Sequence, residues 1–202
     1  MKCEMQILSC QPQIGKVLVV TVVIALWAAG GGDTGVLAQS QEVSEYQVKA
    51  AFLYNFAKFV EWPPDASRDL SDPLTICIVG RDPFGTVLDE AVQGKTISGH
   101  KLVIRRSKAG QSWKGCQIAF ISSSEGKDLP SVLEGSKRSG VLTVGDTEGF
   151  AQRGGMINFV VEQERVHFEV NVEAAERAGL KISSKLLSLA KIVREQDHGK
   201  KT

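Results

Sequence analysis

Residues 46–64, YQVKAAFLYNFAKFVEWPP, carry apolar side chains around nearly the whole circumference of a predicted helix. No other stretch restricts the possible folds of this chain as tightly. Val48, Phe52, Phe56, Phe59 and Val60 recur at spacings of three and four, which puts them on one face. Ala50, Ala51, Leu53, Tyr54 and Ala57 spread apolar character over most of the rest. Such a helix must be covered on more than one side, by its own domain or by a partner. Proline lacks an N–H and pushes the residue before it out of the α region, so Pro63 and Pro64 predict a stop near Glu61. Tyr54 and Trp62 each bring a polar atom that needs a partner wherever the ring is buried.

Upstream, Lys2 and Lys16 precede an apolar run at 17–29, VLVVTVVIALWAA, and a glycine-rich stretch that ends in Val36-Leu37-Ala38. This is the layout of a secretory signal peptide spanning residues 1–38, with cleavage after Ala38. The run is short of the ~20 residues a spanning helix needs, so no membrane insertion is expected after its removal. Residues 39–202 then form one domain, long enough to bury a core without staples. The formal charge of +1 argues against a nucleic-acid footprint, which needs a clustered basic face. Cys77 and Cys116 are the only cysteines after residue 38. An even pair in an exported chain is a disulfide candidate, with two buried free thiols as the alternative. Register is the obstacle, since Cys77 is predicted mid-strand and Cys116 at the start of one.

Along the domain, Ser44 is expected to cap the first helix. Strands are predicted at 74–79, 101–106, 116–121 and 141–144, and helices at 83–92 and 128–139, with Asp82 as N-cap of the former. A hairpin follows at 156–161 and 165–170, its second strand alternating Val166, Phe168 and Val170 with Arg165, His167 and Glu169, so that one face is wet. A short helix at 173–178 and a last helix at 183–194 complete the chain. The order predicts an α/β domain: a mainly parallel central sheet with an antiparallel C-terminal hairpin, flanked by helices.

Catalytic signatures are missing. Gly80 and Gly85 have the outer spacing of a phosphate loop, but Thr86-Val87 stands where Lys-Ser/Thr should follow. His100, His167 and His198 are not spaced for a shared metal, and no cofactor motif occurs. The carboxyl ends of the strands are where open α/β sheets hold ligands. They offer Arg81 and Asp82, Ser122 and Ser124, and Asp146, either as a small polar crevice for an anionic or sugar-like ligand or simply as caps and turns.

Taken together, KAAFLYNFAKFVEWP at 49–63, ICIVGRDPFG at 76–85, GCQIAFIS at 115–122, LTVGD at 142–146 and GGMINFVVEQERVHFEVN at 154–171 resemble the YfiR family of bacterial periplasmic proteins. The resemblance implies a regulator without enzymatic activity, typically dimeric, that restrains a membrane-bound diguanylate cyclase by binding its periplasmic part, and so limits cyclic di-GMP and biofilm formation. It also matches Cys77 and Cys116 to the family's strand pair. The surplus apolar residues of the first and last helices, Leu53, Tyr54, Trp62, Leu187 and Ile192, are then the candidate surface for the partner or a second copy. The alternative function is a periplasmic small-ligand sensor that uses the strand-end crevice.

Overall fold

The computed structural model describes the backbone of residues 34–63, 72–108, 111, 113, 115–134 and 140–196, and side chains from Glu45 onward. The leader at 1–33 lies outside the described residues, and the expected junction after Ala38 falls within the first helix, α1 (Thr34–Phe59). Ser44 is therefore inside a helix and not its cap. α1 ends at Phe59, two residues before the expected stop, because Val60–Glu61 turns into a short strand, β1.

The remaining elements are β2 (Leu74–Val79), α2 (Thr86–Val92), β3 (Thr96–Ile97), β4 (His100–Ser107), β5 (Ile118–Ile121), a 3-10 turn (Ser123–Glu125), α3 (Leu129–Glu134), β6 (Leu142–Gly145), β7 (Ile157–Glu162), β8 (Arg165–Val170), α4 (Val172–Arg177), β9 (Lys181–Ile182), α5 (Ser184–Leu187) and β10 (Lys191–Ile192). Eight strands form one sheet in the order β10-β8-β7-β6-β5-β2-β4-β3. β4, β2, β5, β6 and β7 are mutually parallel, and β7 and β8 form the antiparallel hairpin. The predicted α/β architecture is thus the observed one. β1 and β9 pair separately, Val60 opposite Ile182.

Two helical predictions fail. The helix expected at 183–194 is a single turn, α5, after which the chain extends into β10 beside β8. The helix expected from Pro83 begins at Thr86 instead. Asp82 closes a tight turn before it, its Oδ1 accepting from the Phe84 N–H at 2.8 Å.

The sheet separates two apolar clusters. On one face α1, α2 and α4 cover Ile76, Ile78, Ile118, Phe120, Leu142, Val144, Ile157, Phe159, Phe168 and Val170. On the other, α3 and the 146–155 connection cover Cys77, Val79, Ala119 and Ile121. Alternation along each strand sends successive side chains to opposite faces, which is why uninterrupted apolar runs such as LTICIV are needed.

α1 seats itself through Ala50, Leu53, Phe56 and Ala57, and β1 through Val60, all buried. The face is therefore rotated from the one that spacing predicts. Val48 is 41% exposed, while Leu53 is fully buried and cannot serve as a docking residue in this conformation. Phe52 and Phe56 pack on Phe159 and Phe168 of the hairpin, with ring centroids 5.3–6.0 Å apart.

Cys77 and Cys116 are bonded, with Cα atoms 5.8 Å apart. The register obstacle disappears because β5 begins at Ile118. Cys116 lies ahead of it in a turn closed by its own N–H to the Trp113 carbonyl at 2.9 Å, free of the ladder that would have fixed its position.

Candidate functional site

The packed part of α1 crosses the sheet from its carboxyl edge to its amino edge, and a polar contact fixes each end of that part. At the amino edge the Trp62 indole N–H donates to the Gln117 carbonyl at 3.2 Å, so the ring's polar atom is satisfied within the chain. Trp62 is half-buried, as are Tyr54 and Leu187, whereas Ile192 is 52% exposed. Tyr54 lies beneath two ammonium groups, Lys95 at 4.6 Å and Lys58 at 5.4 Å from the ring centre. The five candidate docking residues therefore do not form one exposed patch. An apolar groove that reaches solvent lies where α1 meets the hairpin. Val48 and Phe52 meet Val161 and Val166 of the hairpin there, around a space of about 320 Å³ rimmed by Glu45, Glu164 and Arg165.

At the carboxyl edge Asp146, just past β6, accepts on Oδ2 from the Tyr46 hydroxyl and from Lys49 Nζ, both at 2.9 Å. Lys49 is 3% exposed and also pairs with Glu45 at 2.5 Å, one helical turn earlier. Its ammonium sits 4.4 Å from the centre of the Tyr46 ring. A buried lysine is costly unless its charge is met, and here two carboxylates meet it. This latch ties the start of the packed part of α1 to the end of a central strand.

The other predicted crevice residues take up turn duties. Ser122 is buried and its hydroxyl accepts from the Ser124 N–H; Ser124 Oγ accepts from the Arg81 N–H at 3.0 Å and donates to Glu125. Asp82 Oδ2 pairs with Arg106 at 2.6 Å, and Arg106 also reaches Asp89. The hydrogen bond from Arg106 holds the Asp89 carboxyl below the usual range, and these partners raise the guanidinium further above its own. Ser122, Ser124 and Asp82 thus hold turns or an ion pair, and Arg81 is engaged there through its backbone N–H. Only Asp146 of the five lines the cavity described next.

That cavity, about 730 Å³, lies between the 146–153 segment and the face of β7 and β8 turned away from α1. The volume is in the range of small-molecule sites. Its floor is polar. Asn158 and Glu169 are directly paired across the hairpin and are 2% and 6% exposed. Glu169 was expected on a wet face and is instead buried. Its Oε2 accepts from Gln152 Nε2 at 3.0 Å and Asn158 Nδ2 at 3.4 Å, and its Oε1 pairs with Lys191 at 3.1 Å. Burial alone would raise the Glu169 carboxyl, but the donors from Gln152, Lys191 and Asn158 outweigh it and hold the group below the usual range. Among the described residues no cluster of His, Cys, Asp or Glu could hold a metal ion.

The 146–153 wall is anchored by Phe150, which is fully buried. A Cβ on Gly145 or Gly155 would come within 2.5 Å or 2.1 Å of its ring, so both positions require glycine. Sequence reasoning named Asp146 but missed Tyr46, Lys49, Gln152, Asn158 and Glu169. The available signal was the polar residue on each of two paired strands, Asn158 and Glu169, amid otherwise apolar neighbours.

Comparison with known proteins gives the family from one source and the fold from another. The profile of the YfiR/HmsC-like family matches residues 46–191. A solved structure described as a conserved domain protein from Vibrio cholerae O1 biovar El Tor superposes with a TM-score of 0.50 at 10% identity, covering 73% of this chain and 59% of that one. At that identity the likeness concerns the fold alone. No curated protein gives a significant match.

Proposed function

The chain belongs to the YfiR/HmsC-like family of periplasmic regulators, and from that premise we propose that it acts in the periplasm, without catalysis, by binding and restraining a membrane-bound diguanylate cyclase. The observation that carries this reading is the family match, which spans α1 through the start of β10. The Cys77–Cys116 bond supports an oxidising compartment, since such bridges seldom persist in the cytosol. No described helix is long and apolar enough to cross a membrane. Residues 1–38 would direct export and be cleaved off in the course of it.

The surface that best supports a protein contact is the α1–hairpin groove, not the Leu53-to-Ile192 set. Val48 and Val161 are 41% and 46% exposed beside Phe52, and Phe is among the aromatic residues enriched at interfaces. Either the cyclase's periplasmic domain or a second copy of this chain would fill it. The test is sedimentation of the purified chain, alone and with the periplasmic domain of a cyclase from the same cell. The expected result is a complex that Val161→Asp weakens by at least about tenfold, with the melting temperature unchanged because the position is exposed. A complex indifferent to Val48→Asp and Val161→Asp would remove the groove from the account. No complex with any such cyclase would remove the regulator.

A further inference from the structure

The cavity on the far side of the hairpin has a donor-acceptor balance that selects its ligand. Asn158 and Gln152 each give their NH₂ to the same oxygen of Glu169. A carboxylate only accepts, so this fixes both amides and turns both amide oxygens away from it. Neither Asn158 Oδ1 nor Gln152 Oε1 has a hydrogen-bond partner, and the same holds for Asp146 Oδ1. The residues carrying these three oxygens all line the cavity. Buried acceptors are ordinarily paired, and three unpaired ones beside a single cavity are an anomaly with a chemical meaning. They need donors.

Charge narrows the choice. Asp146, Glu148, Glu162 and Glu169 line the space against Arg153 and Lys191. Both cations are engaged: Lys191 with Glu169, and Arg153 with the Gly149 and Glu148 carbonyls. With four carboxylates against two cations, the lining is net negative and disfavours an anion. A sugar brings as many acceptors as donors and would leave its own unpaired. An ammonium group has three donors, no acceptor and a positive charge.

We propose that this cavity binds a small ligand carrying a primary ammonium group, and that Asp146 transmits its occupancy to α1. The three oxygens are closed to bulk water in this conformation. Ligand entry must therefore shift the 146–153 segment, which carries two of the three residues. Asp146 holds Tyr46 and Lys49 through its other oxygen, so the shift reaches the latch that seats α1. The groove that supports partner docking begins at Glu45 and Val48 of that same helical turn. This goes beyond the regulatory reading by supplying its input. The binding half is independent of that reading; only the consequence for a cyclase rests on it.

The experiment is calorimetric titration of the intact protein with butane-1,4-diamine, beside tetramethylammonium (equal in charge per nitrogen, without N–H donors), glucose and calcium chloride. Saturable binding of the diamine alone is the expected result. Asn158→Leu and Gln152→Leu should each weaken it by at least about tenfold, the loss of a hydrogen bond to a charged group. Gln152 is half-buried, so its variant decides the matter if Asn158→Leu fails to fold. Hydrogen exchange of the 45–53 amides should change on adding diamine. The absence of saturable binding, equal binding of a control, or affinity unchanged in the folded variants would overturn the site. Binding with unaltered exchange in α1 would overturn the coupling. Either failure would leave cyclase capture by the groove intact, and failed capture would leave the isotherm intact.

Discussion

The two faces of the sheet are built from the same strands and do opposite work. Under α1 the face is apolar from β2 to β8: Ile76 and Ile78, then Ile118 and Phe120, Leu142 and Val144, Ile157 and Phe159, Phe168 and Val170. The opposite face starts the same way, with Cys77 and Val79 and then Ala119 and Ile121, but turns polar at β6 with Thr143, Asn158 and Glu169. One face is a core from edge to edge. The other is half core, stapled by a disulfide, and half cavity. Stability is concentrated where burial is complete, while polar groups held at a cost are concentrated where a ligand could repay it. An invariantly greasy face can hold a fold but has no chemistry with which to sense anything.

The largest effect should come from the α1 face. Phe56 is fully buried among Phe52, Phe159 and Phe168, and Phe56→Ala should cost about 3–5 kcal/mol of stability in denaturant melts. A loss under 1.5 kcal/mol would mean that this face is not the main core. Next comes the staple. The bond joins residues 39 apart, and reduction should remove about 2–4 kcal/mol, chiefly by freeing the unfolded chain. If reduction cost more than Phe56→Ala, the ranking of the faces would be inverted.

The polar half-face should show itself through pH. The folded Glu169 carboxyl lies below its ordinary value, so its stabilisation is present above about pH 4.3 and is lost as pH falls through the folded value. Glu169→Gln should therefore cost on the order of 1 kcal/mol near neutrality, discounted because Lys191 is well exposed, and flatten the acid limb of the stability curve. An unchanged acid limb would contradict the charged, hydrogen-bonded carboxylate. The smallest effect belongs to the hairpin that joins the faces. Its two-residue loop, Gln163 and Glu164, has positive φ at both positions, which Asn-Gly adopts with less strain. The double substitution Gln163→Asn with Glu164→Gly should add about 0.5–1 kcal/mol, and a loss would show that the native loop side chains contribute more than the backbone strain costs.

The sequence makes the apolar face legible because burial on both sides of a parallel strand leaves an uninterrupted run, and LTICIV or CQIAFI can be little else. The hairpin was legible through alternation, although Glu162 and Arg165 pair and shorten its loop to two residues. The rotation of α1 was not. With Val48, Phe52, Leu53 and Phe56 all apolar, spacing cannot say which stripe the sheet will take, and Lys49 reads as solvated until Asp146 is found beside it. The last helix failed because Lys191 and Ile192 gain more from pairing with β8 than a local helical propensity offers. The cavity was invisible for a similar reason. Its residues come from the loop after β6 and from β7, β8 and β10, and the register that sets Asn158 opposite Glu169 brings its floor together.

The most direct measurement of the central claim is the cyclic di-GMP level of the host cell with the chain deleted, restored, and restored as Val161→Asp. The level should rise on deletion, return to baseline with the intact chain, and stay high with the folded, exported variant. A level that does not respond to deletion would contradict that claim.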